Sequence, residues 1–245
     1  MINKLKQAIK ESQKIVFFTG AGMSTDSGIP DFRSETGLYK TNLRAEEMIS
    51  HHYFISNTES FYEFYKEKMI FEDALPNFGH NYIVHLEKDL KKDVVVVTQN
   101  IDGLHNLAGS KKVYELHGSI HRNYCMGCGT FYPLKKIIET KGVPHCDKCQ
   151  GIIKPDVVLY EEGLDEETIE GAINAITTAD MMIILGTSLN VYPAASFVRY
   201  FKGKHLAIIN KSETPADKIC DIVIHDGISQ TFKKGAVTKP TEIIR

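Results

Sequence analysis

Four of the five cysteines in this 245-residue chain fall into two C-x2-C pairs, Cys125 with Cys128 and Cys146 with Cys149, seventeen residues apart. Two such knuckles turn four sulfurs toward one point, and a tetrahedron of thiolates is the ligand set of zinc. Gly127, Gly129 and Gly151 supply the tight turns. His145 is a spare ligand, but four thiolates already close the shell. A closed shell leaves no position for a reactive water, so one structural zinc is expected rather than a catalytic one. Arg122, Lys135 and Lys136 do not amount to a basic-aromatic cluster, so direct nucleic-acid binding is not expected. Cys220, at the edge of an apolar run, reads as a small core residue.

A second constellation follows short apolar runs. Ile15 to Thr19 leads into Gly20-Ala21-Gly22-Met23-Ser24-Thr25-Asp26-Ser27-Gly28. Glycines at a strand-to-helix turn let backbone N–H groups approach a phosphate, although this spacing is not G-x-G-x-x-G and is weak by itself. Val97 leads into Thr98-Gln99-Asn100-Ile101-Asp102-Gly103, Leu185 into Gly186-Thr187-Ser188, and a further run ends at Asn210. Ligands of open parallel sheets sit beyond the carboxyl ends of the strands. Four polar strand ends together imply one extended site, with a nucleotide as the fitting ligand.

The elements that must position these residues are legible as alternation. Strand-like runs cover Ile15 to Thr19, Val94 to Thr98, Val157 to Tyr160, Met182 to Leu185, Leu206 to Asn210 and Asp221 to Ile224. β-branched residues dominate most of them, as strands covered on both faces require. Helical patterns intervene: Ile2, Leu5 and Ile9; Phe61, Tyr65 and Met69; Phe78, Ile83, Leu86 and Leu90. This predicts an α/β fold with a doubly wound, Rossmann-like parallel sheet. Two stretches interrupt it, an aromatic-rich helical one and the cysteine-rich one. The expected division is therefore a Rossmann-like domain of residues 1–38, 75–121 and 155–245. A helical insert, 39–74, and a zinc-ribbon insert, 122–154, form the smaller domain.

Composition removes other classes. Hydrophobic residues make up 42%, charged residues 24%, and the formal net charge is −2, which excludes a wholesale polyanion binder. The best membrane candidate, Ala172 to Val191, is interrupted by Asn174, Asp180 and Asn190, so no membrane association is expected. The start lacks an uninterrupted apolar stretch and a small-residue cleavage site, and five cysteines without export fit a reducing cytoplasm.

GAGMSTDSGIPDFRS (20–34), TQNIDGLH (98–105), His117-Gly118, the paired C-x2-C and GTSLNVYPAA (186–195) resemble the sirtuins, NAD-dependent protein deacylases, over nearly the whole chain and in order. The resemblance implies that NAD is a consumed co-substrate. The acyl-lysine oxygen displaces nicotinamide from ribose, and the acyl group leaves as O-acyl-ADP-ribose. It also implies a catalytic set of His117, Asn100 and Asp102, with His117 as general base, a task that suits a neutral imidazole. Gly20, Ala21, Gly22 and Thr25 are then expected to cradle the pyrophosphate. Asp31, Phe32 and Arg33 match a cofactor-binding loop, Phe32 shielding ribose and Arg33 donating to phosphate. Gln99 and Asn100 are expected on ribose, and Asp102 with the Ile101 backbone on the nicotinamide carboxamide. Gly186, Thr187, Ser188, Asn210 and Ile228 are assigned to the adenosine half. Gly118 is expected to leave room for the cofactor.

The same resemblance implies that an acyl-lysine peptide lies extended between Val158 to Gly163, which includes Tyr160 and Glu162, and Asn190-Val191-Tyr192, paired through backbone. Here the chain departs from the family, with Tyr160-Glu161-Glu162 where Phe-Gly-Glu is usual. Glu161 is expected either to favour basic residues near the target lysine or to point to solvent. Sirtuins that remove succinyl groups carry Tyr-x-x-Arg; this chain has Tyr65-Lys66-Glu67-Lys68. Lysine is not a bidentate carboxylate fork, so uncharged acyl groups are expected. The alternative activity is mono-ADP-ribosyl transfer from the same NAD site.

Overall fold

The computed structural model describes residues 1–35 and 37–236. The chain runs α1 (Ile2–Glu11), β1 (Lys14–Thr19), α2 (Leu38–Thr41), α3 (Ala45–Met48), α4 (His51–Ser56), α5 (Thr58–Lys68), α6 (Phe78–Lys88) and β2 (Asp93–Thr98). It continues through α7 (Leu104–Ala108), β3 (Val113–Glu115), β4 (Gly118–Cys125), β5 (Phe131–Pro133), α8 (Leu134–Glu139) and β6 (Ile153–Val157). Then come α9 (Glu166–Thr177), β7 (Met181–Leu185), β8 (His205–Ile209), β9 (Ile222–Ile224) and α10 (Ile228–Gly235).

Six strands form a parallel sheet in the order β3-β2-β1-β7-β8-β9. Alternate residues of β1 serve opposite faces. Ile15 and Phe17 pack with Leu5 and Ile9 of α1, Tyr82 and Leu86 of α6 and Phe232 of α10. Val16 and Phe18 pack with Ala172 and Ile176 of α9 and with Phe197 and Val198 of a 3-10 segment, Ala194–Tyr200. Both faces are covered, so every residue of β7 is buried, which is why these runs carry no polar alternation. The chain winds outward from β1 in one direction and from β7 in the other. The crevice between their carboxyl ends is therefore the switch point where open α/β sheets bind ligands.

A second, antiparallel sheet has the order β5-β4-β6. Its core joins Phe54, Phe61, Tyr62 and Tyr65 of α4 and α5 to Ile120, Ile137, Ile153 and Val157. β4 and β6 extend beyond residues 122–154 at both ends, to Gly118 and Val157. The two sheets are tied by Arg122, which donates to Glu115 at the end of β3 and to Asp156 of β6, the latter at 2.7 Å.

Two expectations need correction. Val157 to Tyr160 is not a strand of the large sheet: Val157 ends β6 in the antiparallel sheet, and Tyr160 makes only an isolated bridge to Ser50. The place is taken by β3, a three-residue edge strand whose residues are all half-buried. An apolar run reads alike in either sheet, and a short edge strand has too few residues to show a period. Ala172 to Val191 resolves into the end of α9, β7 and a loop. Among the described residues no helix is long and apolar enough to cross a membrane.

Candidate active site and metal centre

A cavity of about 510 Å³ lies over the β1/β7 switch point and reaches between the two sheets. The turns after β1 and β7 meet at its floor. The Gly20 N–H donates to the Leu185 carbonyl at 3.0 Å, and the Gly22 N–H donates to the Gly186 carbonyl at 2.8 Å. A Cβ on Gly22 would lie 2.8 Å from the Gly186 Cα. These glycines thus permit backbone-to-backbone contact, and their own amides are engaged by the neighbouring turn. Ala21 and Thr25 line the cavity beside them.

The turn after β2 supplies the polar centre. Gln99 Nε2 donates to Thr187 Oγ1 at 3.1 Å, linking the β2 and β7 ends. Asn100 Nδ2 donates to Ser24 Oγ at 3.1 Å, and Ser24 Oγ donates to Asp102 Oδ2 at 2.6 Å. The other Asp102 oxygen caps α7 through the Leu104 N–H at 2.9 Å. Burial pushes the Asp102 carboxyl above its ordinary range, outweighing the Ser24 hydroxyl and Leu104 N–H that favour the charged form. Ser24 was not among the residues singled out from the sequence, although it lies inside the motif. A small hydroxyl two residues past Gly22 carries no signal of its own.

His117 sits in the two-residue crossing from β3 to β4. Its Nδ1–H donates to the Gln99 carbonyl at 2.9 Å. A carbonyl only accepts, so in the neutral ring the proton is on Nδ1 and Nε2 keeps its lone pair. Burial lowers the His117 pKa, opposed by that backbone bond, so the neutral form prevails at physiological pH. Gly118 has φ +74, and a Cβ there would lie 1.9 Å from the Asp156 carbonyl oxygen. The missing side chain therefore makes room for β6, a correction to the expectation that it makes room for a cofactor.

Residues 29–34 line one side of the cavity. Asp31 Oδ1 accepts from the Arg33 and Ser34 N–H groups. The Phe32 ring lies 5.4 Å from that of Tyr39, and the Arg33 guanidinium 5.2 Å from the same ring. The Tyr39 and Tyr160 hydroxyls are 2.8 Å apart, a link between this loop and the 158–163 segment. Toward β8, Asn210, Ile228 and Ser188 line the cavity. Asn210 Nδ2 donates to the Ser212 carbonyl at 2.7 Å.

Val158, Tyr160, Glu162, Asn190, Val191 and Tyr192 line the opposite end; Gly163 does not. The Val158 N–H donates to the His117 carbonyl at 3.0 Å. Burial works against the Glu162 carboxylate, but His51 at 2.8 Å, the Leu159 N–H and Lys154 hold it below the ordinary range. Glu162 thus braces the segment. Glu161 has φ +75, and its carboxylate accepts from the His52 N–H at the start of α4, at 2.9 Å. It is engaged by the protein itself.

The four cysteines of the paired knuckles bring all their sulfurs within 4.8 Å of one another. Cys125 and Cys149 Sγ are 3.3 Å apart, and Cys128 and Cys146 Sγ 3.6 Å. Zn–S bonds of about 2.3 Å place tetrahedral sulfurs about 3.8 Å apart, so the set fits one zinc. The Tyr132 hydroxyl donates to Cys146 Sγ at 3.2 Å and holds that thiol down at about 6. His145 turns instead to the Gln150 carbonyl, at 2.9 Å. No cysteine lines the large cavity.

A family model described as the Sir2 family matches residues 20–193. An NAD-dependent protein deacetylase of Clostridium acetobutylicum is 56% identical over 237 residues, covering 95% of this chain and 96% of that protein. The chain belongs to the Sir2 family. An NAD-dependent protein deacetylase of Clostridium perfringens is also 56% identical, over 95% of this chain and 97% of its own length. Among solved Sir2 structures, one with a p53 peptide and NAD+ has a TM-score of 0.83 at 38% identity, over 97% of this chain and all of that one. Another, with a deacetylated p53 peptide and 3′-O-acetyl ADP-ribose, reaches 0.87 at 37% identity, over 97% and 99%.

Proposed function

We propose that this Sir2 chain is an NAD-dependent protein-lysine deacetylase that releases nicotinamide and O-acetyl-ADP-ribose. The observation that carries the reading is the fixed tautomer of His117: Nδ1–H is held by the Gln99 carbonyl, leaving Nε2 as the base in a cavity shared with the β1 turn and Asn100. NAD, when bound, supplies the ribose carbon and the leaving nicotinamide. The residues around it bind, orient and move a proton. Gly20 and Gly22 shape the close-packed turn that brings Ala21 and Thr25 to the pyrophosphate, which Arg33 also holds, and Gly186, Thr187, Ser188, Asn210 and Ile228 hold the adenosine half. Phe32, with Asp31 shaping its loop, covers the reactive end. Gln99 and Asn100 meet ribose; Asp102 and the Ile101 backbone meet the carboxamide. His117 Nε2 takes the ribose hydroxyl proton. The peptide adds by backbone between Val158, Tyr160, Glu162 and Gly163 on one side and Asn190, Val191 and Tyr192 on the other.

Separate apolar cores support a division into a nucleotide-binding domain (1–38, 75–117, 158–245) and a small domain (39–74, 118–157), the second insert being wider than 122–154 because β4 and β6 each lie whole in the antiparallel sheet. Residues 36 and 237–245 of that range lie outside the described residues. Five free cysteines support a cytoplasmic setting. The test is mass spectrometry of NAD with an acetyl-lysine peptide. Nicotinamide and O-acetyl-ADP-ribose should appear in equal amounts, and His117→Ala should slow both by about 100-fold or more. ADP-ribosylated protein without O-acetyl-ADP-ribose would establish the transferase alternative. No nicotinamide release with any acyl peptide would overturn both.

A further inference from the structure

Behind the turn that carries Asn100 lies a buried polar chain that the proposed mechanism does not use. Thr19 and Thr98, paired in register as the last residues of β1 and β2, are 0% and 2% exposed. Thr19 Oγ1 donates to Thr98 Oγ1 at 2.8 Å, and the Asn100 N–H donates to the same Thr98 oxygen at 3.0 Å. His105 of α7, 2% exposed, places Nε2 3.1 Å from Thr19 Oγ1. Its ring centre is 4.7 Å from that of His80 on α6, which is 0% exposed. His80 Nδ1 accepts the Asn77 N–H at 3.2 Å. Asn77 Nδ2 in turn donates to the Met23 carbonyl and to Ser27 Oγ, in the loop after β1.

The direction of this chain can be worked out atom by atom. His80 accepts on Nδ1, so its neutral ring carries the proton on Nε2. His80 Nε2 and His105 Nδ1 have no hydrogen-bond partner among the described residues. Their rings are tilted 60° to each other, and the His105 tautomer is set at its other nitrogen: Thr19 gives its one hydroxyl proton to Thr98, so the His105 nitrogen beside Thr19 must be the protonated one. That tautomer puts the His105 proton on Nε2, where it donates to Thr19. Thr98 receives both Thr19 and Asn100. Burial lowers the pKa of both rings, so both are neutral near pH 7. Apolar side chains would fill this space without buried polar atoms to satisfy. The polar chain therefore needs a reason other than stability.

We propose that His105 is a positioning residue: backed by His80 and acting through Thr19 and Thr98, it fixes the backbone of the turn that presents Asn100 to the reaction. The inference rests on the reading of Asn100 as part of the chemistry. The His105 ring contact with His80 also packs that turn against the residue that Asn77 ties to Met23 and Ser27 in the loop after β1.

The test pairs near-isosteric and conservative changes in the full chain. Thr19→Val keeps the shape and removes the hydroxyl; Thr19→Ser keeps the hydroxyl. His105→Leu removes the ring donor; His105→Gln returns an N–H near the Nε2 position. Thr19→Val and His105→Leu should each lower kcat for an acetyl-lysine peptide tenfold or more, with peptide KM within threefold and the melting temperature unchanged or raised. Thr19→Ser and His105→Gln should recover to within threefold of the parent. The double variant Thr19→Val/His105→Leu should be no slower than the slower single. Imidazole 15N shifts should report Nε2–H tautomers for both His80 and His105. Thr19→Val within twofold of the parent, or a bare Nε2 on His105, would overturn the proposal. If His105→Leu fails to fold, Thr19→Val and the tautomer decide. Asn100→Ala separates the two readings: if it alone retains activity, the assignment of Asn100 is wrong. If it is inactive while Thr19→Val is not, only the positioning role falls.

Discussion

Alanine at Gly118 makes a demand the backbone cannot meet in place. The new Cβ would stand 1.9 Å from the Asp156 carbonyl oxygen, whereas an ordinary carbon-oxygen approach is about 3.3 Å. Strand β6 must retreat by about 1.4 Å, or φ +74 must be abandoned. Holding a non-glycine residue in the left-handed region costs about 1–2 kcal/mol. Pulling β6 away also breaks the Gly118–Val157 pairing and the Val158-to-His117 bond, each worth about 1 kcal/mol. The total is about 3–4 kcal/mol, and at roughly 2–4 °C per kcal/mol for a chain of this size the melting temperature should fall by about 6–16 °C. Because His117 immediately precedes this residue, its ring should shift too, and a displacement of about 1 Å is worth about 100-fold in turnover. Scanning calorimetry and steady-state deacetylation by the same preparation measure both effects. Gly227→Ala, where the added carbon meets nothing closer than 3.8 Å, is the stability control. A Gly118→Ala chain that melts within about 2 °C of the parent and turns over normally would refute the steric reasoning.

Acetyl peptide should be preferred over the matched succinyl peptide by at least about tenfold in kcat/KM, roughly 1.4 kcal/mol. Lys68 is paired with Glu67 at 2.7 Å, so Lys68→Ala should leave deacetylation nearly unchanged; succinyl removal that equals deacetylation and disappears in Lys68→Ala would reverse this view. Chelation of zinc, or Cys146→Ser, should lower the melting temperature and activity in parallel, and a metal-free chain with intact folding and turnover would contradict a structural role for the knuckles. Burial holds His80 at about 4, below the 6.5 of a free imidazole, so the unfolded chain takes up its proton first. Stability from this residue is complete above about pH 6.5 and is lost as pH falls toward 4. Urea midpoints at pH 7 and pH 5 should therefore differ, and the difference should shrink in His80→Gln; an equal difference in both proteins would exclude His80 as a source.

The parallel sheet was legible because β1, β2, β7 and β8 are apolar on both faces, a pattern that few other arrangements produce. The cysteine set was legible from spacing, since a knuckle is a local structure. What escaped depends on partners distant in the chain. β3 is three residues long and acquires its identity only by pairing with β2. Val157 to Tyr160 looks like its large-sheet counterparts until β4 claims its first residue. The glycines at 20 and 22 were legible as a turn, but the Leu185 and Gly186 carbonyls that take their amides lie more than 160 residues away. Glu161 left two possibilities open in the sequence; the His52 N–H that engages its carboxylate belongs to another helix. Ser24 carries no signal of its own until Asn100 and Asp102 are brought to either side of it.

The passage from β3 to β4 takes only Leu116 and His117, so the proposed base stands at the joint between the two sheets. Strand β4 runs eight residues from there, about 26 Å at 3.3 Å per residue, and ends at the first zinc ligand. A rocking of about 5° between the sheets would carry that far end roughly 2 Å along its arc, while a group on the axis scarcely travels. The geometry is that of a door and its hinge pin. Any such tilt would displace the zinc knuckles far more than the imidazole, which stays beside the Gln99 carbonyl, and the Arg122 links to Glu115 and Asp156 resist it.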